Sequence, residues 1–419
     1  MRLYDCAKII SFLISPGINN QYYMISFKDQ EIDRTVIPQD ELNITVKRRI
    51  NPFTWNGQFS PLFVECMLEK FTTPSSVIID PFAGSGTVLY ESARLGRSAI
   101  GMELNPSAYF MSKFYENCNL TEETRKETIE EILKEIKFDS SPESLLKKIK
   151  EIISNHRKDV IGNILSLYIV LLDIGKKELT EERVKKTWTS LETFLYDLPY
   201  LENNIKSIQG DSRKIPIPDD YADVLLTSPP YINVFNYHQN YRGSVEDLGY
   251  DVLSIARNEF GANRKHRQNR LLTVIQYCID MSLSISEAIR VCKDKSRMIY
   301  VVGKESKVLG FNFYNSLLLY RIGTEIFQLP FILRQERVFK NRFGQNIFED
   351  ILHFENSKEN LSLEKNFIIS KAKDIAKEEV EKLLISEVCN KNYDLLKDCI
   401  SKIDDIKESG ESNGKRGSR

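Results

Sequence analysis

The chain has 419 residues, 42% of them hydrophobic and 28% charged, and its 58 Lys and Arg against 59 Asp and Glu leave a formal net charge of -1. That balance is ordinary for a soluble globular protein with one large domain plus additions, and it excludes a globally basic nucleic-acid binder, so a basic footprint has to be local. Seven scattered cysteines (Cys6, Cys66, Cys118, Cys278, Cys292, Cys389 and Cys399) form no CxxC pair, which argues against a zinc ribbon or a disulfide framework and fits a reducing cytosol with no metal.

Residues 1–47 read as a small module with short strands, such as one over 22–27, and carry no motif. The N-terminus has no basic stretch leading into a long apolar run, so no signal peptide is expected. From 48 to 117 the pattern alternates: a helix over 63–71, a β-branched buried strand over 77–79, a turn and helix to about Leu95, and a strand over 98–102. This βαβ unit predicts a parallel sheet with a right-handed crossover. Residues 118–204 are rich in Glu, Lys, Leu and Ile at helical spacing, with Ser141-Pro142 as a cap and first turn, and predict a helical insertion. Its most apolar stretch, 164–172, is too short to cross a bilayer and reads as a core helix. Over 205–357 the α/β pattern resumes, with strands at 205–208, 223–227 and 298–302, a helix near 274–291 and a late strand at 347–354. Residues 358–419 read as a charged helical extension ending in a Gly-, Ser- and Lys-rich tail, which predicts disorder at its end.

The first motif is Asp80-Pro81-Phe82-Ala83-Gly84-Ser85-Gly86-Thr87, directly after a strand and before a helix. Its glycines permit a tight turn and close approach of a ligand at the carboxyl end of the strand. Glu103, followed by Leu104, ends the next strand about 20 residues on, the distance at which a carboxylate grips ribose hydroxyls. Leu89 stands where a GxGxxG turn has its third glycine, and no Lys-Ser/Thr pair follows; this disfavours a nicotinamide dehydrogenase and excludes a P-loop. The plain alternative is a structural strand-to-helix turn.

The second motif, Thr227-Ser228-Pro229-Pro230-Tyr231, follows the apolar run Val224-Leu225-Leu226. Two prolines fix the backbone and remove two amide donors, so the local carbonyls and the Ser228 hydroxyl are acceptors without competition. An exocyclic amine is a poor nucleophile because its lone pair is delocalised. Accepting its N–H bonds through Ser228 Oγ and the Pro229 carbonyl favours a pyramidal nitrogen, and Tyr231 offers a face for a base. The plain alternative is a rigid Pro-Pro turn with Tyr231 as packing.

The first motif resembles motif I of the SAM-dependent amino DNA methyltransferases, where SAM is S-adenosylmethionine. Glu103 resembles their motif II acid, and Ser228-Pro229-Pro230-Tyr231 is similar to the motif IV form of the cytosine-N4 enzymes. Asn56-Gly57-Gln58-Phe59-Ser60-Pro61 resembles motif X, with Phe59 at the methionine end, and Gln209-Gly210-Asp211-Ser212 resembles motif III, whose acid meets the adenine. The resemblance covers roughly 51–117 and 205–354. It implies an α/β fold of Rossmann-like type, a seven-stranded mostly parallel sheet with the helical insertion, SAM as cofactor and double-stranded DNA as substrate. Site-specific methylation at cytosine N4 is expected, with adenine N6 and RNA guanine N2 as alternatives, and a non-catalytic binding subunit as the rival of another class. A companion restriction endonuclease and the sequence-reading segment are left open. Cytosine-C5 enzymes attack with a Cys that follows Pro; no Pro-Cys pair occurs, which favours direct transfer.

Arg264, Lys265, Arg267 and Arg270, interleaved with Asn and Gln, are the expected DNA contacts, and a second basic run holds Arg334, Arg337, Lys340 and Arg342. Either run reads equally as a solvated loop. Tyr237, His238, Tyr241 and Arg242 follow the catalytic motif closely and are candidates to line its pocket. A cytoplasmic location with no membrane partner is expected.

Overall fold

The computed structural model describes residues 27, 30–44, 49–138, 140–156, 159–202, 204–232, 236–261, 266–340, 344–359, 362–387 and 390–410. All but the last residue of the strand expected over 22–27 lies outside them, as do Arg264, Lys265 and Arg342.

The described residues form nine strands: β1 Val77–Asp80, β2 Ser98–Glu103, β3 Ile205–Gln209, β4 Ala222–Thr227, β5 Cys292–Gly303, β6 Ser306–Val308, β7 Phe311–Phe313, β8 Phe331–Lys340 and β9 Asn346–Glu355. Seven form one sheet in the order β3-β2-β1-β4-β5-β9-β8, and β6 and β7 form a separate hairpin. The five strands from β3 to β5 pair in parallel, and β9 runs antiparallel to both its neighbours. The central strands are short continuous apolar runs because both faces are covered. One face packs on the helix Leu272–Val291 and, beyond it, the helix Lys365–Ser386. The other packs on the helices Pro61–Phe71, Thr87–Arg94 and Pro106–Phe114.

After Pro106–Phe114 the helices Glu122–Glu135, Pro142–Asn155, Val160–Leu172 and Glu181–Asp197 precede β3. Each starts on a side chain that accepts a main-chain N–H: Thr121, Ser141, Asp159 and Thr180, which satisfies one of the orphan donors of its first turn. Val160–Leu172 is buried along most of its length and packs on Pro106–Phe114, so the block shares the core of the sheet domain.

The second basic run is not a surface loop. Arg334, Arg337 and Lys340 lie on β8, and Arg334 and Arg337 face inward. Arg334 pairs with the buried Asp350 at 2.8 Å. Arg337 sits directly across from Glu349 in the β8–β9 ladder and donates to it at 2.6 Å, its guanidinium 4.1 Å from the centroid of Phe63. The outer edge of β8 is covered by the N-terminal segment, where Asp33 N donates to the Arg334 carbonyl and Asn43 Oδ1 accepts from Val338 N. Covering an edge strand in this way removes a site for unwanted pairing.

Candidate active site

After β3 the chain crosses to the other side of β1 and continues with β4, so β1 and β4 flank the point where strand order reverses and a crevice opens. Both motifs sit there, at the carboxyl ends of these two strands, and a buried hydrogen bond joins them: Thr227 Oγ1 donates to Asp80 Oδ1 at 2.6 Å. Asp80 also accepts from Phe82 N and is 2% exposed. Burial pushes its carboxyl up to about 7. Asp80 does not line the crevice; its place is behind the loop, tying the glycine turn to the catalytic turn.

Gly84 and Gly86 both have positive φ. A Cβ on Gly86 would lie 2.8 Å from Ser112 and Tyr115, so this glycine serves the packing of the loop on Pro106–Phe114. Gly84 instead lies under the Trp55 indole and opens to the cleft. Its N–H donates to Glu103 Oε2 at 2.8 Å, and Asn105 N donates to Oε1 at 2.8 Å. Burial pushes the Glu103 carboxyl up to about 7, against the pull of these two donors.

The space between the lining residues amounts to about 700 Å³, part of it open to solvent. Pro81, Phe82 and Gly84 form its floor, with Glu103 and Leu104 at one end. Asp211 and Ser212 form a wall, and Ser228 and Pro230 reach in from the catalytic turn. Ala83, Ser85, Gly86 and Thr87 stand behind the loop: Ser85 Oγ donates to Gln58 and Thr87 Oγ1 to Asn51. Phe59 does not reach the cleft; it is buried against Phe63 at 5.6 Å between centroids. The motif X segment contributes Trp55, Asn56 and Gly57 instead. Trp55 stacks on Tyr237 at 5.9 Å, and Asn56 Nδ2 donates to Asn240 Oδ1, which ties this roof to the chain just beyond the catalytic turn.

Two wall residues, Glu259 and Phe260, lie about 30 positions beyond the catalytic motif. Glu259 is 6% exposed, with His238 Nδ1 2.7 Å from its Oε2. Phe260 meets Phe82 edge-on at 5.5 Å. The one sequence signal for Glu259 was an acid interrupting a basic stretch.

The lining fits SAM. Among the described residues it carries three carboxyl groups (Glu103, Asp211 and Glu259) and no Lys or Arg, which suits a ligand with a sulfonium and an ammonium group. Among the described residues Ser212 Oγ is buried without a hydrogen-bond partner, an atom a polar ligand would satisfy. Aromatic and proline faces at Trp55, Phe260 and Pro81 offer stacking surfaces.

Tyr231 turns away from the cleft. Its ring lies over Gly303, where a Cβ would come within 2.8 Å. Its hydroxyl donates to Glu349 Oε1 at 2.9 Å, and Ser228 Oγ lies 3.4 Å from the same hydroxyl. Burial first, and then the Glu349 charge, hold this phenol well above its ordinary range. Of the first basic run, Arg267 is exposed and Arg270 half-buried. Asn269 pins that segment to the C-terminal helices by donating to the Leu395 carbonyl and Asp398.

A family model described as DNA methylase, of the N6 and N4 class, matches residues 19–114. The type II methyltransferase M.MjaII of Methanocaldococcus jannaschii is 32% identical over 106 residues, which is 25% of this chain and 17% of that protein. Among solved structures, a SAM-dependent methyltransferase of Methanosarcina mazei is 10% identical with a TM-score of 0.33, over 69% of this chain and 96% of the other. TrmN of Thermus thermophilus is 14% identical with a TM-score of 0.30, over 72% and 50%. The fold assignment rests on the sheet order itself: a seven-stranded, mostly parallel sheet with one antiparallel strand. Residues 19–114, which hold the glycine turn and Glu103, are thus similar to the N6 and N4 DNA methylases, and the cleft they help to build suits SAM.

Proposed function

We propose that this chain is a DNA methyltransferase that transfers a methyl group to the exocyclic amine of a base flipped out of duplex DNA, with cytosine N4 as the acceptor. The observation that carries this is the meeting of both motifs in one cleft: Ser228 and Pro230 share it with Gly84 and Glu103. When bound, SAM supplies an electrophilic methyl group. Glu103 accepts ribose hydroxyls, Asp211 and Phe260 take the adenine, and Trp55 with Asn56 closes over the methionine end. The target base has to leave the duplex to reach Ser228.

The direction of one hydrogen bond supports the role of Ser228. Glu349 is held by Arg337 and only accepts, so the Tyr231 proton points at it. The Tyr231 oxygen is then the acceptor for the Ser228 hydroxyl proton, and the Ser228 lone pairs are left for the amine. Cys118, Cys278, Cys292 and Cys399 are buried and poor nucleophiles: burial pushes Cys118, Cys292 and Cys399 up to about 12 and Cys278 higher still, and among the described residues no cysteine lines the cleft. Direct transfer to nitrogen suits this setting.

The test is to incubate the protein with SAM and mixed-sequence duplex DNA and to analyse the digested nucleosides by mass spectrometry. N4-methylcytosine is expected. N6-methyladenine would keep amino methylation and overturn cytosine; 5-methylcytosine, or methylation confined to RNA, would overturn the mechanism.

A further inference from the structure

Residues 403–410 of the C-terminal extension return to the cofactor cleft. After the helix Tyr393–Ser401 the chain buries Ile403 and Ile406. Gln276 Nε2 then donates to the Lys407 carbonyl at 3.0 Å. Next comes Ser409, 4% exposed, which reaches the back of the cofactor cleft.

The contact runs through Arg213. Its Nε donates to Asp211 Oδ1 at 2.9 Å and its Nη2 pairs with Asp211 Oδ2. Its guanidinium also lies 5.1 Å from the centroid of Phe260. One side chain thus holds two facing parts of the cleft wall. Its remaining nitrogen, Nη1, is divided between Asp280 Oδ1 at 2.7 Å and the Ser409 carbonyl at 2.7 Å. Asp280 is fully buried in the helix Leu272–Val291. It takes two donors from the tail: Ser409 N at 2.8 Å and Ser409 Oγ at 2.5 Å.

We infer that the C-terminal segment 407–410 is a working part of the cofactor site: Ser409 and Asp280 are positioning residues that fix Arg213, and through it Asp211 and Phe260, in the geometry that grips SAM. This rests on the assignment of the cleft to SAM. A guanidinium with one carboxylate partner can swing about its stem; one held by Asp211, Asp280 and a main-chain carbonyl cannot. The two tail donors offset the charge of a carboxylate that would otherwise compete with Asp211 for the same arginine. A ligand that needs Asp211 and Phe260 in place therefore favours the docked tail, and by reciprocity the docked tail favours the ligand by the same factor.

The test uses the full-length chain. Ser409→Pro removes both the N–H and the hydroxyl. SAM affinity, measured by calorimetry, should fall about tenfold, the lower end of what a hydrogen bond to a charged group contributes. Ser409→Ala, which deletes the hydroxyl alone and covers the case of a proline variant that does not fold, should lose less, and Ser409→Thr should restore binding. In the unmodified protein, saturating SAM should slow hydrogen exchange at the amides of 407–410 by a factor matching the affinity lost. Unaltered SAM affinity in the proline and alanine variants, with exchange in the tail indifferent to SAM, would show that the segment only plugs the core and would overturn the inference. Failure of the unmodified protein to bind SAM would instead remove the cofactor assignment, and the inference with it.

Discussion

Replacing Glu103 with Gln should expose a cost of the cofactor site that is visible before any cofactor is added. The carboxyl sits in the cleft with burial pushing it from 4.5 to about 7. A carboxyl whose folded value is raised stabilises the fold while protonated, and this contribution is lost as pH rises through that value. With about 1.4 kcal/mol per pH decade, the gap makes the cofactor-free protein lose about 2–3 kcal/mol between pH 5 and pH 9 through this group. Gln does not titrate. It also offers one acceptor where Gly84 N and Asn105 N use two oxygens, a pH-independent loss of about 1–2 kcal/mol. The variant should therefore be clearly less stable than the parent at pH 5, with the difference shrinking by about 2–3 kcal/mol by pH 9. Asp80 and Glu91 are also raised to about 7, but both proteins contain them, so they cancel in the difference. Urea unfolding of both proteins across this range measures it. The same variant should lose about 1.5–3 kcal/mol of SAM affinity above pH 7, where the carboxylate accepts the ribose hydroxyls. Stability curves that run parallel from pH 5 to pH 9 would refute the electrostatic account, and unchanged SAM affinity would refute the role.

Three further outcomes are expected. Tyr231→Phe keeps the ring over Gly303 but removes the acceptor for the Ser228 proton; methyl transfer should slow by about 10- to 100-fold with SAM affinity intact, from the loss of one hydrogen bond to a charged partner, and an unchanged rate would remove Tyr231 as the residue that orients Ser228. Arg337→Met leaves Glu349 buried without its cation and should cost about 3–5 kcal/mol in denaturant unfolding; a fall in the salt slope of DNA binding at constant stability would instead return this arginine to the DNA surface. Alanine at Arg264, Lys265, Arg267 and Arg270 together should flatten that slope by about two to four units, and the parental slope would place the DNA contact elsewhere.

The parts of the fold visible in the sequence were those whose signal is local. β1 and β4 are unbroken apolar runs ending in turns of fixed chemistry, and an open parallel sheet brings such ends together whatever lies between them. β8 was not visible for the opposite reason. Arg334, Gln335 and Arg337 are buried along it, and that pattern makes no sense for a strand until Asp350 and Glu349 are set beside it on β9. The partner of a buried charge lies on another strand, and no window along one strand contains it. Trp55 and Phe59 illustrate a finer limit. Both are buried, and spacing alone does not tell which aromatic of a short loop faces the cleft and which faces the helix that follows.

Two motif residues changed place for a related reason. A tight turn was expected to present Asp80 to the cofactor, yet the carboxylate is claimed by Thr227, the residue just before the catalytic serine. The first motif therefore anchors the second, and a change at Asp80 should disturb catalysis through Thr227 as much as cofactor binding through the loop. Tyr231 was expected to offer its face to a base, yet its hydroxyl is held by Glu349, which is itself held by Arg337 from the neighbouring strand. Under the proposed function, the chain Arg337, Glu349, Tyr231, Ser228 would give the serine a preferred proton direction, which an isolated tetrapeptide cannot supply. A Ser hydroxyl free to rotate would donate to the target nitrogen as readily as accept from it, and donation would tie up the lone pair that has to attack. On that reading the antiparallel end of the sheet, β8 and β9, would bear on the chemistry without lining the cleft, by deciding which way one hydroxyl points.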